Sequence, residues 1–353
     1  VKKIKLALND SNQPLVQEVK ETLLKGGVVA LPTETVYGLG AVAGNKAAVE
    51  KLTSLKQRSA DKPFTLHYGN RESALTAFAT LPPYGYRLAE TFWPGPLTIV
   101  YDSVSEGKSG VRVPDHDFLS RTLNALGQPL YLPSANRSGE KEALSAAEVE
   151  ACFGESLDLI VDGGEPRYFS SSTVIDITYH PFKILREGAV SVRDILDQYI
   201  RKRIVFVCTG NTCRSVMAEY LLKKYLADYD PLLLERYEII SRGTGAFCGA
   251  PASPAVIPLL NEEKACGAES HQAGQIDRYT LLSSDLIFTM EEGQRSALVS
   301  LEPTAESRIF NLKKFLPPDM EKDIFDPIGG TEQIYRDVFE IIRTAVIELR
   351  DWL

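Results

Sequence analysis

The stretch RIVFVCTGNTCRSVMAEYLL, residues 203–222, limits the possible folds more than any other part of the chain. Five consecutive apolar residues, Ile204 to Cys208, form a run with no polar face. Such a run reads as a strand buried on both sides, the kind found in parallel sheets covered by helices. A short turn carrying Gly210 and Asn211 follows, and then an amphipathic helix. This is the opening of an α/β domain, yet it begins some 200 residues into a chain of 353. A length of 353 residues suits two domains. We therefore expect a domain over 1–198 and a second over 203–353, joined through the helical, basic segment SVRDILDQYIRKR.

In the second half, YEIISRGT, DLIFTM and SRIFNL read as further strands, and TEQIYRDVFEIIRTAVIELRDWL as a closing amphipathic helix. Strands separated by helices predict a doubly wound parallel sheet. In the first half, GGVVALPT, PLTIVYD, GVRVPD, PLYLPSAN, LDLIVDGG and STVIDIT read as short strands. Residues 47–58 read as a helix, and 71–92 as helical with a break at Pro82-Pro83.

The five cysteines, 152, 208, 213, 248 and 266, are odd in number and scattered, which suits free thiols in a reducing compartment. Zinc would need about four ligands, and the Cys208-x4-Cys213 pair has no matching second pair. No metal site is expected. The net charge of −8 gives no general attraction to nucleic acid or anionic membrane, so an anion site has to be local. No run approaches the roughly 18 apolar residues of a membrane helix. These features together predict a soluble cytoplasmic protein with no membrane partner.

The loop after Cys208 has the parts of an anion site. Gly210 tolerates positive φ, and Asn211 is one of the few other residue types that does. Such a loop turns successive N–H groups inward, and the following helix adds its positive end. Arg214 can hold two phosphate oxygens in a bidentate fork. The same field favours the thiolate of Cys208, a nucleophile to which Ser215 can donate a hydrogen bond. Cys213, in the same loop, is placed to capture an oxidised Cys208 as a disulfide or simply to fill space beneath it.

With its Cys-x5-Arg-Ser pattern, residues 203–353 resemble the low-molecular-weight protein-tyrosine phosphatase family. DIFDPIGG strengthens the likeness, because this family carries its general acid in an Asp-Pro before the last helix, here Asp326. The resemblance implies that Asn211 and Ser241 buttress the loop and that His271 holds Asn211. It implies no cofactor. Val216 stands where the family usually has proline, and Ile328-Gly329 replace a frequent tyrosine pair. CTGNTCRS, with Thr212, is closer to the protein-arginine phosphatase branch, leaving phosphoarginine and phosphotyrosine both open as phosphoprotein substrates. Arsenate reduction is a rival reading. Its thioredoxin-linked form needs relay cysteines, where TLLSSDLIFTM has serines.

The first half gathers a different set. LPTETVYGLG supplies hydroxyls and glycines, LKQRSADKPFTLH supplies Lys56, Arg58 and Lys62, and GVRVPDH supplies Arg112. LPSANRSG contributes Ser134 and Asn136, SSTVID contributes Ser172, and LREG contributes Arg186. Taken singly, charged residues at a helix end are ordinary solvated surface. Together, the cations suit a triphosphate and the hydroxyls a small polar molecule.

Lys-x-Arg combined with Ser-x-Asn resembles the YrdC-like threonylcarbamoyl-AMP synthase family over residues 10–198. That likeness implies a twisted mixed-sheet α/β domain that converts ATP, L-threonine and bicarbonate to threonylcarbamoyl-AMP and diphosphate, for modification of adenosine-37 in tRNA. It implies that Arg58, Lys62, Asn136 and Arg186 hold ATP with help from Lys56. Thr35, His67, Arg112, Ser134 and Ser172 would surround threonine. Mg2+ would enter on the ATP phosphates, and other tRNA-modification proteins become possible partners. Ser59 replaces a usual proline, and Leu144 a frequent hydroxyl. A basic concave surface for RNA is the non-enzymatic alternative, and the acidic net charge speaks against it.

Overall fold

A computed structural model describes residues 1–7, 12–57, 63–105, 107–137, 139–317 and 323–353. It divides into two compact units. The first comprises Val1–Leu81 and Arg87–Ile195, and the second Leu196–Leu353 together with Pro82–Tyr86.

The first unit is built on a mixed sheet of ten strands among the described residues. They are β1 Lys2–Lys5, β2 Val29–Leu31, β3 Gly38–Val42, β4 Leu66–His67, β5 Leu97–Asp102, β6 Lys108–Arg112, β7 Leu130–Tyr131, β8 Leu159–Asp162, β9 Thr173–Asp176 and β10 Lys183–Arg186. Their order across the sheet is β1-β8-β2-β3-β7-β4-β6-β5-β9-β10. Parallel pairs such as β5 with β9 are mixed with antiparallel ones such as β5 with β6. Successive side chains of a strand point to opposite faces, and both faces are covered here. Val29, Leu31, Leu159 and Val161 pack against Val16, Val19 and Leu23 of the helix Gln13–Leu24. Val28, Ala30 and Ile160 pack instead with Leu52 and Val149. The helix expected over 47–58 runs from Lys46 to Lys56, capped by the Asn45 side chain. Between 71 and 92 there are two helices, Arg71–Leu75 and Pro83–Phe92.

Four strands escaped the sequence pattern: β1, β3, the two-residue β4 and β10. β1 is a mostly exposed, lysine-rich edge. β3 is glycine-rich, which lowers strand propensity, but packing requires the glycine. A Cβ on Gly38 would lie 2.6 Å from the Leu132 side chain.

The second unit holds a wholly parallel sheet: β11 Lys202–Cys208, β12 Tyr237–Gly243, β13 Leu286–Thr289 and β14 Ile309–Asn311, in the order β12-β11-β13-β14. β11 explains why the opening run is unbroken. Ile204, Phe206 and Cys208 face a core with Val216 and Leu221 of the helix Arg214–Tyr229 and Val338 and Ile342 of the helix Glu332–Trp352. Val205 and Val207 face Ile287, Leu281 and Leu298 on the other side. Helices cover both faces, as a doubly wound sheet requires. Among the described residues no helix is long and apolar enough to cross a membrane.

Candidate active sites

In the first unit the loops after β2 and β7 and the strands β4, β5, β6, β9 and β10 enclose a cavity of about 530 Å³. All five residues expected around a small polar molecule line it: Thr35, His67, Arg112, Ser134 and Ser172. Arg186 lines it too. The Arg112 guanidinium is buried and donates to Glu34 Oε1 at 2.6 Å, to Thr35 Oγ1 at 3.0 Å and to the Gly95 carbonyl. Arg186 donates to the Ser172 carbonyl and to its Oγ, at 3.0 and 2.9 Å, while burial draws its pKa below the usual arginine range. Ser172 also bonds Thr98 Oγ1 at 3.0 Å.

His67 is buried, and its pKa is pushed down to about 3, first by burial and then by the Arg112 charge. It is therefore neutral. Its Nδ1 lies 3.2 Å from the Thr65 carbonyl, which can only accept, so Nδ1 carries the proton and Nε2 is an acceptor.

Lys56 and Asn136 do not reach the cavity wall. The Lys56 ammonium is buried against the Ser134 carbonyl, at 2.6 Å, and against the Asn136 carbonyl and Oδ1. Asn136 in turn donates to the carbonyls of Arg137 and Glu140 and accepts from Ser134 Oγ. In this arrangement the two set the shape of the Ser-x-Asn loop. Arg58 and Lys62 lie outside the described residues.

In the second unit, the helix Arg214–Tyr229 starts at Cys213 with no side-chain cap, leaving its first N–H groups open to an anion. Asn211, not Gly210, takes the left-handed turn, at φ 55°. Every polar group of Asn211 is used. Its N–H donates to Cys208 Sγ at 3.2 Å, and its Nδ2 to Ser215 and Ser241. Its Oδ1 accepts from the Gly274 N–H at 2.8 Å, and its carbonyl from His271 Nε2 at 2.8 Å. Ser241 Oγ passes a bond on to Glu219. Cys208 Sγ and Ser215 Oγ are 3.0 Å apart.

Arg214 is almost fully buried, and its Nε–H has no hydrogen-bond partner. Its other nitrogens bond the Ile324 carbonyl, Glu291 and, at 2.5 Å, Asp326 Oδ2. Thr212, half-buried, turns Oγ1 toward Cys213 Sγ at 3.7 Å. That sulfur also lies 3.8 Å from the Tyr335 hydroxyl, whose pKa burial raises. Among the described residues no group of three or more His, Cys, Asp or Glu could hold a metal ion.

Comparison with known proteins identifies both halves. Residues 21–188 match the Sua5/YciO/YrdC family model, described as telomere recombination. Residues 203–353 match that of low molecular weight phosphotyrosine protein phosphatases. The chain belongs to both families.

The threonylcarbamoyl-AMP synthase of Pyrococcus abyssi is 37% identical over 180 residues, 48% of this chain and 53% of that protein. A putative threonylcarbamoyl-AMP synthase of Mycobacterium leprae is 34% identical over 184 residues, 49% of this chain and 83% of its own. The YwlE arginine phosphatase of Geobacillus stearothermophilus is 32% identical, covering 42% of this chain and 91% of its own, with a TM-score of 0.38. The chain spans about half the length of the first curated synthases it matches, 53% and 56% of them.

Several residues at these sites carry no motif. Glu291 follows β13 directly, and the carboxyl end of a parallel strand is where an α/β sheet places its ligands. That position was the available signal. Gly243 ends β12 against the loop, and a Cβ there would lie 2.5 Å from the Thr209 carbonyl. Glu34, Thr98, Lys108, Glu142 and Ser171 reach the first site only through tertiary folding.

Proposed function

We propose that the first unit makes threonylcarbamoyl-AMP and the second hydrolyses a phosphorylated protein side chain through a cysteinyl-phosphate. For the synthase, the convergence of Thr35, His67, Arg112, Ser134, Ser172 and Arg186 on one cavity carries the reading. Threonine's amine captures carbon dioxide derived from bicarbonate. The resulting carbamate oxygen attacks the α-phosphorus of ATP, and diphosphate leaves. No protein nucleophile is needed, so the site works by orientation and charge. Arg112 suits the threonine carboxylate, and the His67 Nε2 acceptor suits its hydroxyl or amine. Arg186, with Arg58 and Lys62, suits the nucleotide. Mg2+, a hard cation that takes oxygen ligands, fits the phosphates and the oxygen-rich wall. Diphosphate release from ATP and bicarbonate should depend strictly on threonine, and release at the same rate without it would refute the assignment.

For the phosphatase, the Arg214 Nε–H, orphaned among the described residues and in the same loop as a thiol that already receives an N–H, carries the reading. A buried donor without a partner is costly, and a phosphate oxygen would satisfy it. Cys208 attacks phosphorus, the loop amides and Arg214 hold the equatorial oxygens, and Asp326 protonates the leaving group. We further propose phosphoarginine as the preferred substrate over phosphotyrosine. Thr212 gives the loop a hydroxyl where a guanidinium has donors to place. The position after Asp326-Pro327 carries Ile328 instead of a tyrosine wall. Phe247, exposed, is the feature that favours the ring. Matched phosphoarginine and phosphotyrosine peptides should differ in kcat/KM in favour of arginine, and Thr212→Ile should narrow the gap. An enzyme faster on phosphotyrosine would overturn the preference.

A further inference from the structure

Among the described residues, each lysine or arginine lining the synthase cavity has a carboxylate partner. Lys108 is paired with Asp176, Arg112 with Glu34, and Arg186 with Glu142, at 3.0, 2.6 and 3.8 Å. The pairs differ in where the carboxylate sits. Asp176 and Glu34 are buried and do not line the cavity, whereas Glu142 does. Among the described residues, Glu142 is the only carboxylate in that wall. Both of its oxygens lie within hydrogen-bond reach of Ser171 Oγ, which orients the group. Paired with Glu142 at 3.8 Å, Arg186 has its charge offset on the side where it would attract phosphate, unless a cation also binds the carboxylate.

We propose that Glu142 is a protein ligand for the divalent cation that accompanies ATP, with Ser171 holding the carboxylate in position. Mg2+ commonly binds through one or two carboxylates together with substrate phosphates, and a hydroxyl bonded to the ligand fixes its orientation. The alternative role for a lone carboxylate here is to receive the ammonium of threonine. The Glu142 carboxylate lies against Arg186, on the side assigned to the nucleotide, and that favours the metal. This inference rests on the synthase reading of the same cavity.

The test is calorimetric binding of ATP to the full chain, without threonine so that nothing turns over, in Mg2+ and again in EDTA. For the parent, Mg2+ should tighten binding by about tenfold or more, about 1.4 kcal/mol. In Glu142→Gln, metal-free ATP should bind at least as well as in the parent, and the gain from Mg2+ should shrink to about twofold or less. With Mn2+ in place of Mg2+, the electron paramagnetic resonance spectrum of the ATP complex should change between parent and variant. Glutamine preserves the shape and can still bond Ser171, and an unchanged melting temperature verifies the fold. An equal Mg2+ gain in both proteins overturns the proposal. So does a variant that loses threonine affinity while keeping the metal gain, which would assign Glu142 to the ammonium. A parent that binds no ATP under any condition refutes the synthase reading itself, and this proposal with it.

Discussion

The two sites solve opposite problems. The cavity of the first unit is a broad hollow walled by loops and strands, and in the reaction proposed for it the reactants bring their own nucleophile and leaving group. The loop of the second unit is eight residues, Cys208 to Ser215, wound round a point, and there the proposed nucleophile belongs to the protein. In the hollow the polar groups are paired behind the wall, as Arg112 is with Glu34. In the loop they are spent on holding one backbone shape, as the five bonds of Asn211 show. A site that binds can spread its contacts over many elements. A site that supplies a nucleophile has to concentrate them.

This contrast predicts where single changes do most damage. Among changes that leave the nucleophile in place, the largest single effect should come from Asp326→Asn. Loss of the proton donor should slow turnover by roughly 10²–10⁴ on substrates with poor leaving groups and far less on activated esters. A uniform loss across leaving groups would mean that Asp326 serves through its bond to Arg214 instead. Next, Asn211→Ala should destabilise the second unit by about 2–4 kcal/mol. It strands buried groups on Ser215, Ser241 and Gly274 and forces alanine into a left-handed turn. Denaturant melts reporting on each unit would measure it, and a loss below about 0.5 kcal/mol, the usual surface value, would remove the loop from its special place in the comparison.

The smallest predicted effect belongs to the hollow and depends on pH. His67 is held neutral, with its pKa depressed to about 3, so the unfolded chain binds its proton first. The stabilisation is complete above the unfolded histidine value near 6.5 and erodes as pH falls toward 3. At pH 5 this amounts to about 2 kcal/mol for the first unit. Burial lowers the pKa of His116 in the same direction and adds to it. His67→Gln should flatten the stability profile between pH 7 and 5 by about that amount, and an unchanged slope would contradict the buried, neutral assignment.

How far each site could be read from the sequence follows the same division. The phosphatase loop is local, so Cys208, Asn211, Arg214 and Ser215 stand together in the chain and their bonding follows from their spacing. Only its distant supports had to wait for the fold. Glu219 is a single acidic residue in a helix where nothing in its neighbours marks it, and Glu291 has only its place just past β13 to mark it. The hollow is nonlocal. Its cations were visible as a set, but spacing could not separate Arg186, which lines the cavity, from Lys56, which turns back to bond the loop carrying Ser134. Glu142 sits in EKEALS, where a charged residue looks like solvated surface. The parallel sheet of the second unit was legible because its core strand is apolar on both faces. β3 was not, because the close approach of Leu132 demands glycine where strand propensity wants a branched side chain.

The central claim is that two independently built sites share one chain. It is tested most directly by measuring both activities on the same preparations of the parent, Cys208→Ser and Arg186→Met. Cys208→Ser should lose phosphatase turnover, by roughly a thousandfold or more, and keep threonine-dependent diphosphate release at the parent rate. Arg186→Met should do the reverse, weakening ATP use while phosphatase turnover stays unchanged. A folded Cys208→Ser protein that no longer releases diphosphate, or a folded Arg186→Met protein that no longer cleaves phosphopeptide, would contradict the account.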